Sequence, residues 1–246
     1  MSVGNQKPAK QWVILVAGLV LSLSAMAEES GFPRLLAIGT ASTATASFAS
    51  TNGWAPIFQK DKGINVRVIP EDSELQRYRR LNIRRDLGMS SVSASELRAQ
   101  IQGIDGYAGL PASKQRVVWH HIDTPWGIVA RGDSKLDSLE DLKEGGVEVS
   151  KTMFSANVAI NVTHGLPAFL GVSTSNTEEI FEYVPTASYV ENCRSVVERK
   201  ADITFCSPIS AVMAEMEGAP GGIKWLDMDL NNTEAWQRFL EYRPAT

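Results

Sequence analysis

The sequence predicts an α/β protein of two lobes, each built on a mostly parallel sheet flanked by helices. Three observations lead there. Strand-like apolar runs alternate with helix-like segments, the pattern of βα units winding into parallel sheets. Two such series occur, separated by the adjacent strand-like pieces Gln115–Ile122 and Trp126–Arg131. The third observation is the stretch Arg34–Phe48, where the apolar run Leu35–Ile38 stops at Gly39 and every side chain from Thr40 to Ser47 is Ala, Ser or Thr. An unalternating apolar run suits a strand buried on both faces. Small hydroxylated residues ahead of a helix let a polar or anionic group approach the main chain, although the same pattern also serves simply to cap a helix.

Residues 1–27 have the three parts of an export signal: Lys7 and Lys10, the apolar run Trp12–Leu23, and the small-residue pattern Ala25-Met26-Ala27. Cleavage is expected after Ala27, which makes the mature protein periplasmic and starts it at Glu28. The apolar run is shorter than the roughly 20 residues that span a bilayer, and no later segment has that length and apolarity. The chain has 246 residues and a net charge of −4; without the leader, 22 basic residues face 28 acidic ones, a net charge of −6. This balance gives no support for nucleic-acid binding. The remaining length suits two lobes of about 100 residues, each able to bury its own core.

The elements follow in order. Trp54–Gln59 reads as helix ending near Gly63, Ile64–Ile69 as an alternating strand stopped by Pro70, and Glu71-Asp72-Ser73-Glu74 as the opening of a second helix, with a cap-type residue and acids near its N-terminus. That helix runs through Arg77–Arg85, whose five arginines read either as a solvated face or as a cationic docking patch. Asp86–Ser91 is a short strand, Val92–Gly103 a helix, and 103–113 a loop. After Trp126–Arg131, a short helix bearing Leu139 and Leu142 ends at Gly145-Gly146. Val147–Ser150, Phe181–Val184 and Ala201–Phe205 are strands; helices follow Asn157 and span Ala187–Lys200.

In this order the pieces resemble the extracytoplasmic solute-binding subunits of TRAP transporters, of the TAXI family. The resemblance rests on Ile38-Gly39-Thr40 with Phe48 after the hydroxyl run; on Ser73, Asn82 and Asp86-Leu87-Gly88; on Val129–Ser134 with Leu139–Lys143; on Lys200–Phe205; and on Ile223–Asp229. It implies the type II periplasmic-binding-protein fold. Residues 28–128 would form the first lobe, 129–205 the second, and 206–246 a return to the first that stops short of the family's usual length. It also implies that the protein hands a small anionic solute, a glutamate-like amino acid or a dicarboxylate, to a membrane permease. The sequence departs from the family at glycines, with Ala41, Ser42, Ala44 and Thr45 in the first loop and Ser150–Asn157 where a glycine-rich turn is expected. Each replacement adds a Cβ where ligand would meet bare backbone.

For a bound carboxylate the candidate contacts are Thr40, Thr43, Thr45, Ser47, Phe48, Ser73 and Ser91 from the first lobe and Ser155 and Asn157 from the second, with Arg77 or Arg131 as a bidentate clamp. Each hydroxyl also fits a cap or turn. No cofactor or metal is expected: His120 and His121 point to opposite sides of a strand and lack a third ligand. His164 reads as a helix-end residue, and Asp227 and Asp229 as a solvated strand edge rather than an acid/base pair. Cys193 and Cys206 return to a similar level on a helix and the following strand, about six residues at 1.5 Å against about four at 3.3 Å. A disulfide and two buried free thiols both fit. Other functions that fit the sequence are an ABC-type or sensor-linked binding protein, a secreted hydrolase with dispersed residues, and a module that keeps the fold but binds nothing small.

Overall fold

Two sheets form, and each begins with the same winding. The computed structural model describes residues 31, 33–110, 114–120, 124–173 and 175–244. The export signal expected over residues 1–27, and His121, lie outside them. β1 (Leu35–Thr40) leads through the hydroxylated loop into α1 (Ala46–Lys62), and then follow β2 (Asn65–Pro70), α2 (Glu74–Arg79) with a π-type turn over Arg80–Arg84, β3 (Met89–Ser90) and α3 (Ala94–Gln102). The three strands are parallel, in the order β2-β1-β3.

β4 (Gly127–Arg131) opens the second lobe. It is followed by β5 (Val147–Thr152), α4 (Ala156–Ile160), a π-type turn, α5 (Leu166–Phe169), β6 (Phe181–Thr186), α6 (Tyr189–Arg194), β7 (Ile203–Cys206), α7 (Val212–Glu217), β8 (Ile223–Leu226) and α8 (Thr233–Tyr242). The sheet order is β6-β5-β7-β4-β8, so β5 sits between its two successors as β1 does in the first sheet. β5 is parallel to both neighbours, and β4 is antiparallel to β7 and β8.

Local chemistry starts the helices, and the first of them begins at Ala46, ahead of the Trp54–Gln59 stretch read as helix. Thr45, Ser73, Ser93, Ser155 and Ser188 are caps whose side chains accept an N–H from three residues on, and Gly63 and Gly103 end their helices in the left-handed region. Ile128, Val149, Leu166, Phe181, Ile203 and Phe239 anchor the larger core, on the second sheet. The first lobe has two smaller clusters, Leu36, Ile38 and Ile64 on its sheet and Tyr78, Ala99 and Tyr107 beneath α2 and α3.

Two expectations about organisation are corrected. Residues 114–120 are not strand, and Val117 and Val118 are 69% and 72% exposed; Trp119 meets the edge of Trp54 at 6.1 Å. The segment 206–246 also stays with the second lobe. β8 extends the second sheet beside β4, and α8 buries Ala235 and Phe239 in that lobe's core. Gly165 makes this possible, because a Cβ there would lie 2.7 Å from the Phe239 ring. The segment meets the first lobe at Ala211, which donates to Ala44 O, and along the groove that Glu241–Pro244 line with Ser95 and Arg98. Of the arginine run, Arg77 is buried, while Arg80 and Arg84 pair with Asp86 on the surface. Cys193 and Cys206 form a disulfide between α6 and β7, with Cα atoms 5.8 Å apart.

Candidate functional site

In each sheet the parallel strands deliver polar loops to one edge, and the two edges face each other. On the first lobe, Glu71 N–H donates to Thr40 O and Ser91 N–H to Gly39 O, both at 2.8 Å, which gathers the loops after β1, β2 and β3. On the second, Met153 N–H donates to Thr186 O at 2.8 Å, and Asn192 ties the layer together: it accepts from Ser150 at 2.9 Å and donates to Phe205 O at 3.1 Å. The loop Ser207–Ser210 follows β7 at the same edge. Trp126 stacks on Phe205 at 5.2 Å, and its neighbour Gly127 pairs with Cys206.

Two polar contacts among the described residues join the lobes beside these loops. Ala211 N–H donates to Ala44 O at 3.2 Å, and Ser155 Oγ donates to Glu74 Oε2 at 2.5 Å. Behind the second contact lies a buried cluster of Glu74, Arg77, Glu96, Gln100 and Tyr107. Gln100 and the Tyr107 hydroxyl donate to Glu96 Oε1 at 2.7 and 2.8 Å, and an Arg77 nitrogen lies 3.8 Å from Glu96 Oε2. Arg77 also donates to Glu71 O, and to Asp72 O at 3.1 Å. Burial pushes the Glu96 carboxyl up to about 8; the Glu74 carboxylate adds to the rise, while Arg77 and the Tyr107 hydrogen bond oppose it. Burial and the Glu96 charge push the Tyr107 hydroxyl upward too. Arg243 faces Glu74 and Asp105, and its pKa is lowered because burial outweighs those two attractions. Beside the cluster a groove of about 600 Å³ runs between α3, with Arg98 and Ala99, and the second lobe, with Ala156, Ile160, His164 and Arg243.

The candidate contacts therefore fall into distinct positions. Thr40 is fully buried at the end of β1, and its hydroxyl has no hydrogen-bond partner among the described residues. Thr45 accepts from Phe48 N–H at 3.3 Å and lies 3.1 Å from the Ser47 hydroxyl; Thr43 is exposed and Phe48 half-buried. Ser73 accepts from Gln76 N–H at 3.3 Å, and Ser91 lies half-buried at the strand edge. Ser155 both caps α4, through Val158 N–H at 3.0 Å, and reaches across the junction. Asn157 lies in α4, and its side chain is outside the described part of the structure.

Arg131 corrects an expectation. β4 runs against β7, so its C-terminal end lies at the edge away from these loops, where Arg131 binds Asp133. It is not placed to clamp a ligand there. His120 is exposed, and no group of three or more potential metal ligands occurs among the described residues. His164 sits in the π-type turn, 2.8 Å from the Thr163 hydroxyl and 5.4 Å from the Tyr242 ring. Asp229 accepts from Asn231 N–H in the turn before α8. Glu74, Glu96, Asn192 and Trp126 are the positions that sequence reasoning missed. Glu96 hides inside a capping pattern, since Ser93 caps α3 through the Glu96 N–H at 3.2 Å while the Glu96 side chain turns inward instead of capping back.

Comparison with solved structures identifies the class of fold. The alkanesulfonate-binding protein SsuA from Xanthomonas axonopodis pv. citri, bound to MOPS, is similar with a TM-score of 0.53 and 18% identity, over 79% of this chain and 61% of that one. An arginine-bound mutant of ArgBP from T. maritima gives a TM-score of 0.51 and 13% identity, over 86% of this chain and 96% of that one. The chain has the α/β fold of periplasmic binding proteins, with parallel-rich sheets flanked by helices. No protein-family model matches the chain, and no curated protein matches it either.

Proposed function

We propose that this protein is an extracytoplasmic solute-binding subunit that closes its two lobes over a small anionic solute, a glutamate-like amino acid or a dicarboxylate, and passes it to the permease of a TRAP transporter of the TAXI family. One observation carries the choice of solute: the junction between the lobes already holds a carboxylate. Glu74 receives the Ser155 hydroxyl from the opposite lobe and attracts the Arg243 guanidinium, with Arg77 one helical turn along α2. Hydroxyl and guanidinium donors suit a carboxylate, because charge-assisted hydrogen bonds are roughly twice as strong as neutral ones. The transporter type rests on the sequence resemblance.

A sulfonate-binding protein of the ABC type is the second reading, suggested by the likeness to the alkanesulfonate-binding protein. A sulfonate offers the same donors a charged oxygen group. A thermal-shift screen against amino acids, dicarboxylates and alkanesulfonates tests both readings. A solute at 100 times its Kd should add about 2.7 kcal/mol of stability. Saturable stabilisation by glutamate or a dicarboxylate is expected; stabilisation by sulfonates alone would transfer the assignment, and none by any anion would defeat it.

A further inference from the structure

We propose that Glu74 is a tethered ligand of the cleft: its carboxylate fills the subsite at Ser155, within the field of Arg243, that a solute carboxylate occupies only by displacing it. This rests on the solute-binding reading and names the atoms that the solute must compete for.

The geometry distinguishes this contact from an ordinary surface bond. Glu74 stands in the first turn of α2, where a carboxylate has no need of a partner if it faces water. Here it is 9% exposed, and its Oε2 accepts a hydrogen bond from the other lobe, Ser155 Oγ at 2.5 Å. A buried carboxylate is costly without donors, so this one is satisfied while the lobes are together and by water when they part. The charges around it come from each packed element: Arg77 on its own helix, Glu96 and Tyr107 on and after α3, Asp105 in the following turn, and Arg243 at the end of α8. Glu96 is the second carboxyl of the cluster: Gln100 and Tyr107 donate to its Oε1 and it hydrogen-bonds Glu74 within the first lobe, which leaves Ser155 as the partner that ties Glu74 across the junction. An incoming carboxylate would take the Ser155 hydroxyl and the Arg243 charge, and Glu74 would rotate out towards solvent.

Tethering has a measurable consequence. A ligand that must displace an internal competitor binds more weakly by the fraction of time the competitor is absent. A hydrogen bond to a charged group is worth about tenfold or more in affinity. Glu74→Ala should therefore tighten binding of glutamate or succinate about tenfold, and in the absence of solute it should increase the radius of gyration measured by small-angle X-ray scattering. Ser155→Gly attacks the same bond from the other lobe at a small capping cost. It should also expand the unliganded protein, but it should not tighten binding, because it removes a donor that the solute needs.

The proposal is overturned if both variants stay as compact as the unsubstituted protein, or if Glu74→Ala binds glutamate and succinate no more tightly. Equal binding by the unsubstituted protein and Glu74→Ala would remove the tether and leave the solute-binding reading standing. Expansion of both variants with no binding of either probe by any of the three proteins would overturn displacement and the carboxylate reading together.

Discussion

Replacing Glu96 with Gln should flatten a stability that otherwise falls as the pH rises. The Glu96 side chain is 1% exposed, and burial, with Glu74 beside it, raises its pKa from the ordinary 4.5 to about 8. Between these values the folded protein keeps a proton that the unfolded chain releases. Because the unfolded chain then binds fewer protons, the unfolding free energy declines with pH; the stabilisation is complete below about 4.5 and is lost as the pH passes about 8. One pH unit inside that window corresponds to about 1.4 kcal/mol, so between pH 6 and pH 8 this one group should remove on the order of 2 kcal/mol. Glutamine copies the shape and hydrogen bonds of the protonated acid and cannot ionise. Urea unfolding followed by circular dichroism at pH 6, 7 and 8 gives the comparison, and every other titrating group is common to both proteins and cancels. Parallel pH profiles for the two proteins would refute the assignment of a proton to Glu96.

Other substitutions probe the frame and the cleft separately. Reducing the Cys193–Cys206 disulfide, which spans 13 residues, should cost about 3 kcal/mol by loop-closure entropy; an unchanged urea midpoint under reductant would contradict this. Phe239→Ala should destabilise the protein by about 3–5 kcal/mol, measured the same way, because the ring is buried against Gly165 in the larger core. Arg131→Met should leave glutamate affinity unchanged within about twofold, as its guanidinium binds Asp133 at the far edge of the sheet; a tenfold loss by calorimetry would return Arg131 to the cleft.

The α/β class was readable because each strand and helix carries its own local signature. Leu35–Ile38 and Gly39 announce β1 and its exit without help from the rest of the chain, whereas the hydroxyl run hid the start of α1 at Ala46, ahead of the Trp54–Gln59 stretch read as helix. Tertiary pairing was not readable in the same way. Gln115–Ile122 has the composition of a strand, yet its described residues 115–120 are not strand, and Ile223–Leu226 could not declare that its partner is β4. The candidate site was half legible. Hydroxyls such as Ser155 stood out at strand ends, but the group that Ser155 holds, Glu74, looked like an ordinary acid in a first helical turn. Burial gives Glu74 and Glu96 their meaning, and burial depends on both lobes at once.

The unequal sheets have a consequence for the order in which the molecule comes apart. The first lobe rests on three strands, one of them only two residues long, and on two small buried clusters; the second has five strands, a core twice reinforced by helices, and a covalent staple beside the cleft. Regions with fewer buried contacts open locally at lower free energy. Amide exchange should therefore run faster across β1–β3 than across β5 and β7, making the second lobe the anvil of the molecule and the first lobe the part that a bound solute protects most.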